Sequence, residues 1–207
     1  MRIHIFGDSL AYGEWDSLGG WAARLRMYVD DTLNIGKWNY HHVYGLGLPG
    51  ETTGQLKNRL ERELPIRINP DEENIVIIQS GANDVNHMNG FTGEQIPKED
   101  FVNNYADIID VIKKYTQSFI ILGMLQIDEE KIKKIFSENG TMLLNEEVKE
   151  YAQLLKGFCV RNDYPFIDLY ALVDPSVLID GLHPDDEGHI QIFQAVKDFL
   201  ISKGYVS

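Results

Sequence analysis

The chain has 207 residues, 43% of them hydrophobic, 11% aromatic and 25% charged, the make-up of one globular domain spanning 1–207 whose core needs no disulfide or metal staple. Against 19 Lys+Arg stand 32 Asp+Glu, a formal charge of −13 whose field repels polyphosphates and anionic headgroups, so nucleic acid is excluded as an expected partner. A single cysteine, Cys159, has no internal disulfide partner. The N-terminus lacks the apolar core of a signal peptide, and no apolar run nears the roughly 20 residues of a membrane span. A cytoplasmic chain with no stable membrane association is expected.

In chain order, apolar runs of strand length fall at residues 2–6, 39–45, 74–80, 118–124 and 165–169. Stretches with helical spacing lie between them. Residues 18–33 carry Trp21, Leu25 and Val29 on one face, and residues 53–64 carry Leu56, Leu60 and Leu64. Residues 99–115 repeat the pattern with Phe101, Tyr105, Ile108 and Ile112, as do 148–160 with Tyr151, Leu155 and Phe158, and 186–203 with Ile190, Phe193, Val196 and Leu200. This alternation predicts a parallel sheet covered on both faces, and the runs NIVII at 74–78 and FIILG at 119–123, which lack polar alternation, are those of central strands. Two segments stand apart: a polar, glycine-containing stretch at 85–97, long enough to mark a functional loop, and 126–144, read as a short amphipathic helix that caps the site or packs on the core.

Ligands of open α/β sheets bind beyond the carboxyl ends of the strands, and those ends are rich in chemistry here. Gly7-Asp8-Ser9-Leu10 follows the first strand; Gly45, Gly47, Pro49 and Gly50 close the second; Gly81-Ala82-Asn83-Asp84 follows the third. Asp180 and His183 lie three residues apart ahead of the last helix. A serine hydroxyl becomes a nucleophile when a neutral imidazole takes its proton, and the imidazole needs a carboxylate on its other nitrogen. Ser9, His183 and Asp180 supply those three parts. The oxyanion that develops in acyl transfer needs donors already aimed at it, for which the N–H groups of Ser9 and Gly50 and the Asn83 amide are candidates.

The motifs GDSL at 7–10, GETT at 50–53 with Leu56 and Arg59-Leu60, GAND at 81–84 and DGLHPDDEGH at 180–189 together resemble the four blocks of the SGNH, or GDSL, hydrolase superfamily, in order and over essentially the whole chain. The resemblance implies an α/β flavodoxin-like three-layer α/β/α sandwich with a five-stranded parallel sheet in the order 2-1-3-4-5. It also implies ester or thioester hydrolysis without metal or other cofactor. Carried over residue by residue, Ser9 is nucleophile and oxyanion donor, Gly50 and Asn83 are the other donors, His183 is the base and Asp180 its orienting acid.

The remaining candidates concern substrate. Tyr12, Trp15, Met88 and Phe91 flank the blocks and offer an apolar acyl pocket, whereas Trp21 is read as packing the first helix on the sheet. His87, in the loop after Asn83, is a further candidate for contact with substrate. His4, His41 and His42 fall in strands, His189 is read as a packing or capping residue, Asp84 as a structural acceptor and Cys159 as a small core residue. No cluster outside the 180–189 block has metal-ligand spacing. A small-molecule ester, short-acyl or an acetylated sugar, is the expected substrate. Acyl transfer to another alcohol by the same triad, and a non-catalytic binding protein on the same scaffold, are the alternatives; acyl length, leaving group and oligomeric state stay open.

Overall fold

The structure is a computed structural model that describes residues 1–38, 40–87, 96–136, 138, 140 and 142–206. Strands β1 (Arg2–Gly7), β2 (His42–Gly47), β3 (Asn74–Gln79), β4 (Phe119–Leu122) and β5 (Phe166–Ile167) form one parallel sheet in the order β2-β1-β3-β4-β5, as expected. The helices are α1 (Ser9–Tyr12), α2 (Gly20–Val29), α3 (Thr53–Arg67), α4 (Ala82–Val85), α5 (Lys98–Lys113), α6 (Glu129–Phe136), α7 (Asn145–Arg161) and α8 (Asp186–Ser202).

The two-residue period of a strand sends successive side chains to opposite faces, and both faces are buried. Phe6, Val76, Ile78, Phe119 and Ile121 pack with Leu56, Leu60, Tyr105, Ile108 and Tyr151 from α3, α5 and α7. Ile3, Ile5, Ile75, Ile77 and Ile120 pack on the other side with Trp21, Leu25, Ile192, Val196 and Leu200 from α2 and α8. Each fully buried Leu, Ile or Phe contributes roughly 1.5–3 kcal/mol, so these two layers hold the sheet rigid beneath the loops at its carboxyl edge.

Several boundaries differ from the periodicity. β2 begins at His42, three residues later than the apolar run, and continues two residues past it through Leu46 and Gly47, because β1 pairs with it along its whole length from Arg2–His42 to Gly7–Gly47. The first long helix ends at Val29 and passes into a π-helical turn over Asp30–Asn34, where Asn34 bonds Asp30 and the His41 backbone. α3 runs three residues past Leu64, through Pro65, after starting at a Thr52/Gln55 capping box. The stretch at 126–144 does hold an amphipathic helix, α6, with Ile132 buried. Residues 88–95 lie outside the described residues, and with them Met88 and Phe91.

Candidate active site

β2, β1 and β3 are neighbours, and their register sets Gly7 opposite both Gly47 and Gln79. Ser9, Gly50 and Asn83 therefore all stand within four residues of one rung, on three adjacent strand ends beside the point where the strand order reverses. Asp8 caps α1 by accepting the Leu10 N–H at 3.0 Å, which makes Ser9 the first residue of that helix.

His183 arrives from the opposite end of the sequence. Ser9 Oγ lies 2.7 Å from its Nε2, and Asp180 Oδ2 lies 2.7 Å from its Nδ1. An ionised carboxylate only accepts, so Nδ1 carries the proton and Nε2 is left to accept from the serine hydroxyl. The other Asp180 oxygen accepts the backbone N–H groups of Leu182 and His183 at 2.9 and 2.8 Å. The loop is closed like a hairpin: Ile179 N–H donates to the His183 carbonyl at 2.8 Å, and Leu178 bridges Pro184. Between them Gly181 has φ +91°, and a Cβ there would lie 2.6 Å from the Asp128 carbonyl oxygen. That close approach belongs to α6, whose leading Asp128 N–H donates to the Gly181 carbonyl at 2.8 Å and whose Lys131 Nζ donates to the Leu178 carbonyl at 2.5 Å. Thus α6 braces the Asp180–His183 loop from outside, a role its amphipathic pattern alone did not specify.

A contact that the sequence did not foretell completes Asp180. The Trp15 indole N–H donates to Asp180 Oδ2 at 2.8 Å, so Trp15, read from sequence as an acyl-pocket residue, is turned instead toward the carboxylate. Burial alone would raise the Asp180 pKa. The His183 hydrogen bond and charge, its backbone N–H and the Trp15 indole outweigh burial and hold the carboxyl well below its usual range.

On the other side of Ser9, Gly50 has φ +81°, a left-handed turn that glycine adopts freely, at the tip of the loop after β2. Leu48 N–H donates to the Gly7 carbonyl at 2.8 Å, binding this loop to the end of β1. The Asn83 amide donates to the Glu51 carbonyl at 3.1 Å, which leaves its second N–H directed elsewhere. Glu51 is clamped in turn by Arg59, from Nε at 2.7 Å and Nη2 at 2.6 Å. Beneath these loops lie two buried carboxyls. Asp84 accepts the Thr53 N–H at 3.0 Å and the Thr53 hydroxyl, joining the Asn83 turn to the start of α3. Burial, opposed by those bonds and reinforced by the charge of Asp8, pushes Asp84 up to about 7. Burial likewise pushes Asp8 up to about 6 against the Leu10 N–H.

The other candidates are accounted for individually. His189 accepts the Trp21 N–H on Nδ1 at 3.2 Å and donates from Nε2 to the Glu14 carbonyl at 3.0 Å, which makes it a neutral linker from α8 to the first turn of α2 and to the chain before it. His87 faces Glu147 of α7, with Nε2 at 2.6 Å from the carboxylate. His4 is buried against Asn74 and stacks on Tyr44; His42 opens β2 and His41 precedes it. Trp21 and Cys159 are core residues, the Cys159 thiol pushed up to about 12 by burial. Tyr12 ends α1, is largely exposed and lines a cavity of about 360 Å³ beside β2. A larger cleft, about 600 Å³, adjoins Gly50 and is lined by Leu48, Pro49, Gln55, Asn58 and Arg62. Among the described residues no group of three His, Cys, Asp or Glu side chains is arranged to hold a metal ion, and no helix is long and apolar enough to cross a membrane.

Solved structures reproduce this architecture. A lipase/acylhydrolase from Enterococcus faecalis superposes with a TM-score of 0.70 at 19% identity, covering 98% of this chain and 96% of that one. A catalytic mutant of an acetylxylan esterase from Geobacillus stearothermophilus gives 0.72 at 17% identity, with 96% and 93% covered. A member of the lipolytic G-D-S-L family from Veillonella parvula gives 0.70 at 18% identity, with 96% and 97% covered. At these identities the likeness is one of fold. No curated protein sequence matches the chain. The model of the GDSL-like lipase/acylhydrolase family, however, matches residues 5–190, from within β1 to within α8. The chain therefore belongs to the GDSL-like lipase/acylhydrolase family, a family of ester hydrolases.

Proposed function

We propose that the chain is a serine esterase that cleaves short-acyl carboxylic esters, or thioesters, through an acyl-enzyme on Ser9. The observation that carries this reading is the unbroken relay Ser9 Oγ–His183 Nε2 and His183 Nδ1–Asp180 Oδ2, each link 2.7 Å. As Ser9 Oγ attacks the ester carbonyl carbon, its proton passes to His183 Nε2, and Asp180 stabilises the imidazolium without itself being protonated. The oxyanion is received by the N–H groups of Ser9 and Gly50 and by the free N–H of the Asn83 amide, each such donor worth roughly a hundredfold to a thousandfold in rate. Collapse breaks the bond to the leaving oxygen or sulfur, which takes the proton back from His183. Water then attacks the acyl-enzyme, gives its proton to His183, and the free acid leaves as that proton returns to Ser9.

We assign the leaving group to the cleft beside Gly50, which carries the polar side chains of Gln55, Asn58 and Arg62. Hydroxylated leaving groups such as acetylated sugars fit such a surface better than lipid chains, and among structures of the same fold are acetylxylan esterases. The net charge of −13 favours neutral substrates and disfavours nucleic acid.

Ser9→Ala should abolish turnover of p-nitrophenyl acetate while the circular dichroism spectrum is unchanged; activity retained in that variant overturns the reading. Across p-nitrophenyl acetate, butyrate and octanoate, kcat/KM should fall with acyl length, and a preference for octanoate would overturn the short-acyl assignment.

A further inference from the structure

We propose that Trp15 is a positioning residue of the active site: its indole N–H fixes the carboxylate of Asp180 and so sets the orientation of His183. The inference rests on the triad reading of Ser9, His183 and Asp180. Asp180 Oδ2 is the oxygen that His183 Nδ1 uses, at 2.7 Å, and Trp15 Nε1 shares it at 2.8 Å. With Leu182 and His183 N–H on Oδ1, the carboxylate has four donors, two on each oxygen, which fills its ordinary acceptor capacity and pins its plane. Three of those donors belong to the loop that carries Asp180. Trp15 lies 165 residues away in sequence and alone ties the carboxylate to the other half of the site.

The local backbone is built around this contact. Trp15 has φ +66°, a left-handed conformation that a bulky residue rarely adopts and that persists only where the surroundings impose it. Here they do. The Gly13 and Glu14 N–H groups both donate to the Ser9 carbonyl, at 3.0 and 3.1 Å, so the strap begins on the helix that carries the serine. The Glu14 carbonyl accepts from His189 of α8. Asp16, on the other side of Trp15, accepts the Leu18 and Gly20 N–H groups and a two-pronged contact from Arg24 at 2.7 and 2.6 Å. Ser17 bonds Asp186 through its N–H, at 2.8 Å, and its hydroxyl. Both flanks of Trp15 are thus held by α2 and by the start of α8, the helix that follows His183. Burial does not explain the tryptophan, since it is 54% exposed. Its directional contact is the one with Asp180, which is itself 5% exposed and lies under the indole edge.

The test is a double-mutant cycle on p-nitrophenyl acetate hydrolysis, with Ser9→Ala as control. Trp15→Phe keeps an aromatic ring and removes the N–H. It should lower kcat about tenfold, the size of one lost hydrogen bond to a charged group, and leave KM within about twofold. Replacing Trp15 by its benzothienyl analogue, in which sulfur stands in place of the N–H, should do the same with the indole shape preserved, and covers the case in which the phenylalanine variant fails to fold. In an Asp180→Ala background the loss on removing the N–H should shrink to less than about twofold, because the group acts through Asp180. Unchanged kcat in the benzothienyl variant, a loss that lies in KM, or the same tenfold loss without Asp180 would each overturn the inference. If Ser9→Ala is inactive while the benzothienyl variant is fully active, the triad reading stands and the role of Trp15 falls; if Ser9→Ala is active, it is the triad reading that falls.

Discussion

Glu51 and Arg59, eight residues apart, meet in a two-pronged ion pair of 2.7 and 2.6 Å in which the Glu51 side chain is almost wholly withdrawn from water. The same Arg59 donates to the Leu46 carbonyl at 2.9 Å and lies over the Phe6 ring, while the Glu51 carbonyl holds the Asn83 amide. One guanidinium therefore joins the end of β2, the Gly50 turn and the Asn83 turn.

Arg59→Met should be strongly destabilising, because it strands the Glu51 carboxylate without its counter-charge. Removing one partner of a buried pair costs about 3–5 kcal/mol, whereas removing both is often close to neutral. Arg59→Met with Glu51→Gln should therefore recover most of the lost stability in urea denaturation. Esterase activity should stay low in both, since neither restores the tie from Leu46 to the Gly50 turn. A double variant as unstable as the single one would show that Arg59 matters through its bond to the Leu46 carbonyl and its contact with Phe6 and not through its pairing with Glu51.

Gly181 sits between Asp180 and His183 with φ +91°, and a Cβ would meet the Asp128 carbonyl at 2.6 Å and Ile132 Cγ1 at 2.8 Å. Gly181→Ala should push α6 away from the loop or flatten the turn. The backbone strain alone is roughly 1–3 kcal/mol. The first of the two colliding atoms is backbone, which cannot rotate aside. The expected result is a fall of several degrees in Tm together with a fall in kcat, read by thermal denaturation and p-nitrophenyl acetate turnover; a variant with wild-type kcat would mean that the loop does not need its brace.

How far the site could be read from the sequence follows from the range of its contacts. Asp180 and His183 are three residues apart, so their pairing is local, and the strand-end placement of Ser9, Gly50 and Asn83 follows from a parallel sheet whose central runs, 75–78 and 119–122, are apolar on both faces. β2 is less legible in the sequence. Glycine carries little strand preference, and pairing with β1 carries the strand past Gly45 to Leu46 and Gly47. The link from Trp15 to Asp180 spans 165 residues and depends on a left-handed tryptophan that no periodicity reports. Its one sequence signal is position: a tryptophan between Gly13 and Gly19, in a turn that begins directly after the Ser9 helix. The contact of α6 with Gly181 is of the same kind, since amphipathic spacing shows that a helix packs by one face but not what it packs against.

Asp84 supplies a pH-dependent stability. In the folded protein its pKa is pushed up to about 7, by burial first and by the charge of Asp8, against an ordinary value of 3.8. Between those values the native state holds a proton that the unfolded chain has released, so the contribution is fully present below about pH 3.8 and is lost as pH rises through about 7. Asp8, raised to about 6, acts in the same direction over a narrower window. Opposing them, burial lowers the pKa of His4 and His189, and Asp180 is held low by His183, so these groups remove stability as pH falls. The absolute profile mixes these five with other shifted groups, Glu72 and Asp16 among them. The difference between Asp84→Asn and the parent chain isolates one. The variant cannot ionise, and its carbonyl still accepts from Thr53. Relative to the parent it should gain stability steadily from pH 4 to pH 7.5, by roughly 4 kcal/mol at 1.36 kcal/mol per unit across the shift. Urea denaturation of both proteins at half-unit steps of pH reads that difference directly. A difference that stays constant with pH would show that Asp84 is ionised throughout, with the Thr53 N–H and hydroxyl sufficient to carry its charge.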